Sequence, residues 1–402
     1  MQAASPASDL TADVLVVGAG LCGIASALAL AREGFSTIIC GAPEPAGAGR
    51  SVALHAATAA WLGELGVWRE ALAFASPLAR LQIIDDSGSL LPAPTVDFRA
   101  PEIGLEAFGW NIENNDLAQV MAKAARGAAN LQWLQSPVAS YAFSAPASLT
   151  MADGRRVNAR LIAAADGRNS LARASAGIER REHTYAQMAL TLILNHARPH
   201  HDISTEFHTR QGPFTFVPLR GRNGAAHRSS LVWAMSPAQA RRRMRLDDAG
   251  LAREIETQSR SHLGALSIEG GRAIFPLSWQ SAAAMTGERL ALLGDAAHAL
   301  PPIGAQGLNL GLRDAAGLVA ALREARQSGE DIGGPASLAR YAKARNLDVL
   351  SRSRLVDALN RSLLAGFAPL DMARSLSLAA LSLFGPLRRL AMREGIAPSF
   401  AR

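Results

Sequence analysis

The stretch Asp13–Gly23, which reads DVLVVGAGLCG, decides the fold. After Asp13 comes the uninterrupted apolar run Val14–Val17, which is typical of a strand buried on both faces. The segment Leu21–Glu33 is rich in alanine and leucine and stops at Gly34, as a helix with a C-terminal glycine does. Ser36–Cys40 supplies a second apolar run. Together the three segments predict a β-α-β unit near the start of an α/β fold.

Three glycines, Gly18, Gly20 and Gly23, have the spacing G-x-G-x-x-G at the turn between the first strand and the helix. In this context the first glycine makes the tight turn, the second lets a pyrophosphate approach the backbone, and the third packs helix against strand. The helix start adds free N–H groups and a partial positive charge. The pattern favours dinucleotide binding over a glycine-rich turn that holds no ligand.

The end of the second predicted strand departs from the dinucleotide pattern. An acidic residue usually stands there to bind the adenosine ribose, but Gly41 takes its place and Glu44 follows only after Pro43. A hydrogen bond to a charged group is worth about 1.5–3 kcal/mol. We therefore expect weaker cofactor binding than the full pattern gives, and expect Gly41→Glu to strengthen it.

Two more predicted buried strands end in an acidic residue. Arg160–Ala165 runs into Asp166 and Gly167, and Arg289–Leu293 runs into Gly294 and Asp295. At Asp295 such an acid is placed to hold a sugar or ribityl hydroxyl, whereas Asp166-Gly167 taken alone is equally a tight turn after a strand. Beyond two prolines, the backbone N–H groups of Gly304, Ala305, Gln306 and Gly307 come at a helix start, where they are suited to stabilise an anion such as a reduced flavin ring.

The order of predicted segments indicates a discontinuous domain. Residues 1–75, 100–178 and 281–330 are assigned to a Rossmann-like FAD-binding domain, and Ser51–Leu65 within it is predicted to be helical. Strand-like runs at 187–195, 203–208, 213–219 and 228–235 indicate an inserted β-sheet domain for the substrate, built from residues 76–99 and 179–280. Helical patterns over residues 331–402 predict a C-terminal helical region.

Composition excludes several classes of protein. The 402 residues are 49% hydrophobic and 19% charged, a globular balance. The net charge of +7 permits anionic partners, but no basic stripe interleaved with aromatic residues indicates nucleic acid. Cys22 and Cys40 are too few for a disulfide framework. His196 and His200 have the spacing of metal ligands, but Pro199 between them argues against a helix, so we expect a solvated cluster and no metal site.

No segment has the features of a membrane span or a targeting peptide. The uncharged run Val14–Ala31 is interrupted by glycines and preceded by acidic residues, so a buried strand and helix explain it better. We expect a cytoplasmic location.

The chain resembles the FAD-dependent aromatic monooxygenases of the hydroxybenzoate hydroxylase type, and within them the ubiquinone-biosynthesis hydroxylases. The resemblance runs almost end to end and is carried by motifs in a fixed order, namely Gly18–Gly23, Arg50–Leu54, Ala165–Gly167, Gly294-Asp295 and Gln306–Asp314. It implies that NAD(P)H reduces bound FAD, that dioxygen adds to give a flavin C4a-hydroperoxide, and that one oxygen atom passes to a phenol ring. One dinucleotide fingerprint implies that the nicotinamide binds transiently.

The resemblance also assigns roles to individual residues. Arg50, Asp166, Gly167, Gly294, Asp295 and Asn309 are expected to join the three fingerprint glycines in binding FAD. Pro302 is expected to orient the substrate ring, and Val217, Pro218 and Trp233 are candidate walls of the substrate site, with ordinary core packing as the alternative. No catalytic side chain is expected, because the cofactor carries out the chemistry. The backbone of residues 304–307 is expected to lie near the flavin. Pro301 and Ala305 stand where histidine and glycine are common in the family.

A ubiquinone precursor carries an isoprenoid tail, so the resemblance implies a prenylated aromatic substrate besides dioxygen. The stretch Leu363–Arg393 is rich in leucine and arginine but has no uncharged run long enough to span a bilayer. The stretch suits a helix that lies in the interface of the inner membrane or contacts a quinone-biosynthesis complex. The alternative is a helix packed on the domain. Two other functions stay open: a flavin hydroxylase of another aromatic compound, and a flavin-poor scaffold or lipid-binding subunit.

Overall fold

The computed structural model describes residues 10–43, 49–88, 93–302, 304–364 and 368–396. Nineteen strands are described in these ranges, in three sheets. Their bounds are β1 Leu10–Val17, β2 Thr37–Cys40, β3 Ser51–His55, β4 Ser76–Pro77, β5 Arg80–Asp86, β6 Val96–Arg99, β7 Gly109–Glu113, β8 Leu131–Leu134, β9 Val138–Ala142, β10 Ala147–Met151, β11 Arg156–Ala164, β12 Arg180–His196, β13 Ile203–Thr209, β14 Gly212–Leu219, β15 Arg228–Met235, β16 Leu266–Ala282, β17 Thr286–Gly287, β18 Leu290–Leu292 and β19 His298–Ala299.

The helices flank these sheets and fill the C-terminal part of the chain. Their bounds are α1 Leu21–Arg32, α2 Ala56–Glu64, α3 Trp68–Ala71, α4 Asn114–Arg126, α5 Leu171–Ser175, α6 Pro237–Met244, α7 Asp248–Gln258, α8 Gln306–Gln327, α9 Pro335–Leu364, α10 Ala368–Leu383 and α11 Gly385–Ile396.

The first sheet is the nucleotide-type sheet that the β-α-β unit predicts. Its strand order is β17-β18-β11-β1-β2-β8, with β10 and β9 added beside β11. The strands from β18 to β8 run parallel. Val14–Val17 and Thr37–Cys40 are buried throughout. Helix α1 covers this part of the sheet, and its residues Gly23–Ala31 are all buried. The predicted α/β class is confirmed.

The second sheet has the order β19-β16-β12-β15-β14-β13-β5-β6. All of its neighbours are antiparallel except β13 and β5. One face packs α6 and α7 through a core that includes Leu192, Phe214, Trp233 and Leu251. The other face turns toward the first sheet. A small third sheet, β3-β7-β4, bridges the two.

The prediction that Ser51–Leu65 is one helix is wrong at its start. Residues Ser51–His55 form β3 and pair antiparallel with β7, and α2 begins only at Ala56. The partner strand lies more than fifty residues away in sequence, so a local pattern could not reveal the pairing. This correction matters because β3 carries residues to the site described next.

Candidate cofactor and substrate site

The carboxyl ends of four parallel strands meet at one edge of the first sheet. Gly18 follows β1, Gly41 follows β2, Asp166 lies just beyond β11, and Asp295 lies just beyond β18. All four residues line a cavity of about 1570 Å³ that extends to the inner face of the second sheet. Ligands of open α/β sheets bind at this edge, where the strand order reverses about β1.

The three fingerprint glycines are required for different reasons. A Cβ at Gly18, where φ is +98°, would lie 2.3 Å from the carbonyl oxygen of Ala165, and a Cβ at Gly23 would lie 1.9 Å from that of Gly18. A Cβ at Gly20 would meet nothing within 4 Å. Gly18 and Gly23 are therefore fixed by packing, while Gly20 leaves open space at the start of α1. A pyrophosphate fits that space, beside the free N–H groups of the helix.

Gly41 is a glycine for backbone reasons, which changes the expectation for its replacement. Its φ is +130°, and a Cβ there would lie 3.3 Å from the backbone nitrogen of Ala19. Its N–H donates to Leu134 and its carbonyl accepts from the indole of Trp133. A glutamate at this position would be strained, so the expected gain from Gly41→Glu does not fit the geometry. Glu44 lies outside the described residues.

Arg50 and its neighbour connect the cofactor edge to the second sheet. The Arg50 side chain lines the cavity with its guanidinium carbon 5.8 Å from the ring centre of Phe275 on β16. Ser51 Oγ donates to Ser230 Oγ on β15 at 2.7 Å. This bond places β15 directly beside the segment that carries Arg50.

Asp166 is held by one of its oxygens and not by the other. Oδ2 accepts from the backbone N–H of Ala172 in α5 at 3.1 Å, whereas Oδ1 is buried with no partner among the described residues. Gly167 follows with φ at +79° and also lines the cavity. A buried acceptor without a partner at a cavity wall fits a hydrogen-bond donor of a ligand.

Asp295 is exposed at the cavity wall, and a buried ionic network fixes the turn that presents it. Asp314 Oδ2 accepts from the backbone of Gly294 at 3.0 Å and lies 2.6 Å from Nε2 of His298, and Oδ1 accepts from Arg345 at 2.7 Å. Burial raises the pKa of Asp314, but the charges and hydrogen bonds of His298 and Arg345 outweigh it and hold the pKa below the ordinary value. The carboxylate is therefore ionised and anchors the turn.

The loop before α8 has the backbone conformation of an anion cradle. Gly304 and Ala305 both have positive φ, +62° and +53°, and α8 starts at Gln306 without a side-chain cap. Its first-turn N–H groups thus have no intrahelical partners, and residues 304–308 line the cavity. The buried side chain of Gln306 donates to the carbonyl of Gly304 at 3.2 Å, and its Oε1 has no partner among the described residues.

Two predicted cofactor residues do not line the cavity themselves. Gly23 packs behind Gly18, as described above. Asn309 instead ties the loop to β3: its Oδ1 accepts from His55 N at 2.8 Å, and its Nδ2 donates to the carbonyls of Ala53 and Ala305. Asn309 therefore positions the cradle and is not placed to bind the cofactor with its side chain.

Of the four candidate substrate residues, two line the cavity and two do not. Pro302 and Val217 line the cavity. Pro218 is buried, and its carbonyl accepts from Asn111 Nδ2. Trp233 is 2% exposed in the core on the opposite face of the second sheet, with the Arg243 guanidinium 4.0 Å from its ring centre. Residues alternate between the two faces of a strand, so Trp233 and Val232 cannot face the same side, and it is Val232 that lines the cavity.

Other polar residues reach the cavity without having been predicted. His55 lines it at the end of β3, and burial, together with the charges of Arg313 and Arg352, lowers the pKa of this histidine to about 4. Glu206 and His208 line it from β13. The only sequence signal for the latter pair was polar alternation in Ser204–His208 within an apolar strand pattern.

The two cysteines are not poised for redox chemistry. Cys22 donates to the carbonyl of Gly311 at 3.3 Å, and burial raises the pKa of its thiol. Burial also raises the pKa of Cys40, to about 12. Both thiols therefore stay protonated and act as packing groups at the cavity wall.

His196 is buried, contrary to the expectation of a solvated cluster. Nδ1 lies 2.7 Å from the carbonyl oxygen of Arg198 and Nε2 lies 3.0 Å from Ser229 Oγ, so the ring is held at the end of β12. Within the described ranges, no group of three or more His, Cys, Asp or Glu side chains is placed to hold a metal ion. Among the helices in these ranges, none is long and apolar enough to cross a membrane.

Comparison with known proteins agrees with this geometry. The model of the FAD binding domain family matches residues 11–349. Ubiquinone hydroxylase UbiL of Rhodospirillum rubrum is 34% identical, with 97% of this chain and 90% of the relative covered. The 3-demethoxyubiquinol 3-hydroxylase of Escherichia coli is 32% identical, with 96% of this chain and 98% of the relative covered. The crystal structure of p-nitrophenol 4-monooxygenase PnpA from Pseudomonas putida shares the fold, with a TM-score of 0.78 at 18% identity over 96% of this chain and 98% of that one.

The open space at Gly20, the acids at the strand ends and the helix start at Gln306 fit FAD, which in this family supplies the redox chemistry with NAD(P)H as reductant. The residues at this edge would hold it, and the N–H groups at the start of α8 would offer donors where charge develops. The family match holds although position 41 is a glycine, so the missing acid does not favour the alternative of a flavin-poor scaffold over an FAD enzyme. The chain belongs to the FAD-dependent monooxygenases of the ubiquinone-biosynthesis hydroxylase family.

Proposed function

We propose that this enzyme hydroxylates the aromatic ring of a polyprenylphenol in ubiquinone biosynthesis, with the isoprenoid tail lying in the apolar end of the cavity. The two relatives described above act on ubiquinone or a demethoxyubiquinol by name. The observation that carries the proposal is the extent of the cavity. The cavity of about 1570 Å³ takes in the cofactor edge and continues beyond it, along the inner face of the second sheet, to an apolar end.

The far end of the cavity has the chemistry of a hydrocarbon site. Its wall is formed by aliphatic and aromatic side chains from β5, β6, the segment before β7, α10 and α11, namely Leu81, Phe98, Phe108, Leu378, Leu381 and Met392. Burying one methylene group of a tail there is worth about 0.8 kcal/mol. A tail of several isoprene units therefore contributes much of the binding free energy, and leaves the ring at the cofactor end.

The test compares kcat/KM for a prenylated phenol and for the same phenol without the tail. We expect the tail to raise kcat/KM, and we expect Leu381→Arg, which puts a charge into the apolar end, to abolish that advantage while leaving the short phenol unaffected. Leu347→Arg is the control, because Leu347 is 69% exposed on α9 and does not line the cavity. Equal kcat/KM for the two phenols in the unaltered enzyme would contradict the proposal.

Exposed side chains on α10 and α11 support a second proposal, that the enzyme contacts a membrane surface. Among the side chains described in α10, α11 and their junction, five large apolar ones are exposed, namely Leu376, Leu383, Phe384, Leu387 and Leu390. Arg389 lies among them in sequence and Arg393 three residues beyond the last, while Arg388 is paired with Glu102. Exposed apolar groups beside basic ones suit an interface with anionic lipid, and a membrane is where a polyprenylphenol resides.

Flotation with vesicles containing anionic lipid tests this contact. We expect the enzyme to float with the vesicles and the double variant Leu383→Glu/Phe384→Glu to stay behind. Phe74→Glu serves as the control, since Phe74 is 40% exposed on a different part of the chain. Flotation of the double variant to the same extent as the unaltered enzyme would contradict membrane contact by this surface.

A further inference from the structure

A carboxylate faces the middle of the cavity from the second sheet. Ser204, Glu206 and His208 alternate along β13 and all line the cavity. Thr215 on β14 lies directly across from Glu206 in the strand register and lines it too. These positions lie between the cofactor edge and the apolar end, where the ring of a substrate would be held.

The carboxylate is oriented by its neighbours. Glu206 Oε1 lies 2.8 Å from Nε2 of His208, and Oε2 accepts from Thr215 Oγ1 at 3.3 Å. A carboxylate has about four acceptor directions, so these two contacts leave capacity for a ligand donor. His208 Nδ1 is buried with no partner among the described residues. The pair is thus fixed in position but not saturated.

The surroundings of Glu206 along the same row of the sheet are apolar. Ile83 on β5 pairs with Glu206, and Val232 on β15 pairs with Thr215, and both line the cavity. A charge in such a place is costly unless a partner stabilises it. Burial raises the pKa of Glu206, but the hydrogen bond and charge of His208 and the hydroxyl of Thr215 bring it below the ordinary value. At neutral pH the Glu206 carboxyl group is therefore ionised and can only accept hydrogen bonds.

Glu206 and the cofactor edge are joined by one face of the second sheet. Ser230 touches the Arg50 segment through Ser51, and Val232 comes two residues further along β15, about 7 Å away. Glu206 lies two strands beyond Val232, at about 4.8 Å a strand. Val217 and Val232 form an apolar wall between the two polar ends. A phenol ring lying against that wall can direct its hydroxyl to Glu206.

We propose that Glu206, positioned by His208 and Thr215, accepts a hydrogen bond from the phenolic hydroxyl of the substrate and so sets which ring carbon faces the cofactor. The inference rests on the proposed function and names the head group that the site selects. Glu206 touches the substrate; His208 is a positioning residue that acts through Glu206. A site built around an acceptor rejects a ligand that lacks the donor, because the acceptor capacity that His208 and Thr215 leave on the carboxylate then loses water without gaining a hydrogen bond.

The test measures binding of ortho-prenylphenol and of its methyl ether to the FAD-loaded enzyme, followed by the change in the flavin absorbance spectrum. We expect the phenol to bind about 10- to 100-fold more tightly than the ether, as for a hydrogen bond to a charged acceptor. Glu206→Leu should remove that preference by weakening phenol binding and not ether binding. His208→Asn should reduce the preference partially, and Glu182→Leu, at an exposed glutamate of β12, should keep it.

Equal binding of phenol and ether by the unaltered enzyme, or absence of phenol binding, would overturn the proposal. A Glu206→Leu variant that loses affinity for both ligands equally would also overturn it, because that pattern indicates a merely structural role. Product formation is read separately: tight, Glu206-dependent phenol binding without hydroxylation would refute the proposed function while this assignment stands.

Discussion

Oδ1 of Asn309 lies 2.8 Å from the backbone nitrogen of His55, and the same side chain donates through Nδ2 to Ala53 and Ala305. One buried amide therefore joins β3, which follows Arg50, to the loop that starts α8. These three hydrogen bonds fix the distance between two parts of the site. One part is the Arg50 segment, and the other is the loop whose N–H groups form the cradle.

The cradle gives a prediction for Gln306→Pro. Proline is tolerated at the first position of a helix, so the fold should survive, but it removes the N–H group of Gln306 that lies at the cavity wall. Loss of one donor to a developing negative charge costs about 10²–10³-fold in turnover. We expect a lower flavin reduction potential and slower hydroxylation with FAD still bound, measured by redox titration and stopped-flow kinetics.

Gln306→Ala is the control for that substitution. It retains the backbone donor and loses the side-chain bond to Gly304, so we expect a loss of stability of about 0.5–1.5 kcal/mol and a nearly unchanged potential. A proline variant with unaltered potential and turnover would show that this loop does not face the flavin ring.

Gly20→Val should empty the cofactor site without unfolding the chain. The added side chain enters the space where a Cβ meets nothing within 4 Å, so it blocks the pyrophosphate and clashes with no protein atom at its Cβ. The variant should purify without the yellow colour of flavin. Its melting temperature should equal that of the unaltered apoprotein. Gly127→Val, at an exposed glycine after α4, should keep its flavin. Full occupancy in Gly20→Val would refute the placement of the pyrophosphate.

Replacing Gly41 should weaken FAD binding. Either Gly41→Ala or Gly41→Glu must adopt φ near +130° beside the Ala19 backbone, at a cost of about 1–3 kcal/mol. FAD titration of the apoprotein and thermal unfolding measure the effect, and we expect alanine and glutamate to behave alike. If glutamate binds FAD more tightly than alanine does, the carboxylate reaches the ribose despite the strain.

His55 predicts a pH dependence of stability. Its pKa is about 4 in the folded chain and about 6.5 when unfolded, so the unfolded state takes up the proton first. The free energy of unfolding should therefore be highest above pH 6.5 and fall by about 3 kcal/mol as the pH drops from 6.5 to 4. Denaturant unfolding at several pH values measures the slope. His55→Gln should flatten it, and an equally steep slope in that variant would assign the effect to other groups.

Local patterns were sufficient for the first sheet and its cofactor edge. The runs at Val14–Val17 and Leu161–Ala164 are apolar and buried, as in the centre of a parallel sheet, and the residues that follow them include the glycines and the acid that line the cavity. The four antiparallel strand-like runs of residues 187–235 also appear as strands β12 to β15.

Non-local pairing and side-chain direction were not predictable in the same way. β3 depends on β7, so its sequence alone favoured a helix. Trp233 points into the core under α6 because its neighbour Val232 takes the cavity face, and only the orientation of the second sheet decides between them. Glu206 and His208 form no motif in sequence, since what makes them notable is the cavity that the two sheets enclose.

The most direct test of the account follows the oxygen atom. The FAD-loaded enzyme is incubated with NAD(P)H and a polyprenylphenol under isotopically labelled dioxygen, and the product is analysed by mass spectrometry. We predict a hydroxylated ring that carries one labelled oxygen atom, formed in step with NAD(P)H oxidation and absent with Gly20→Val. Oxidation of NAD(P)H that yields only hydrogen peroxide, or a product whose oxygen comes from water, would contradict it.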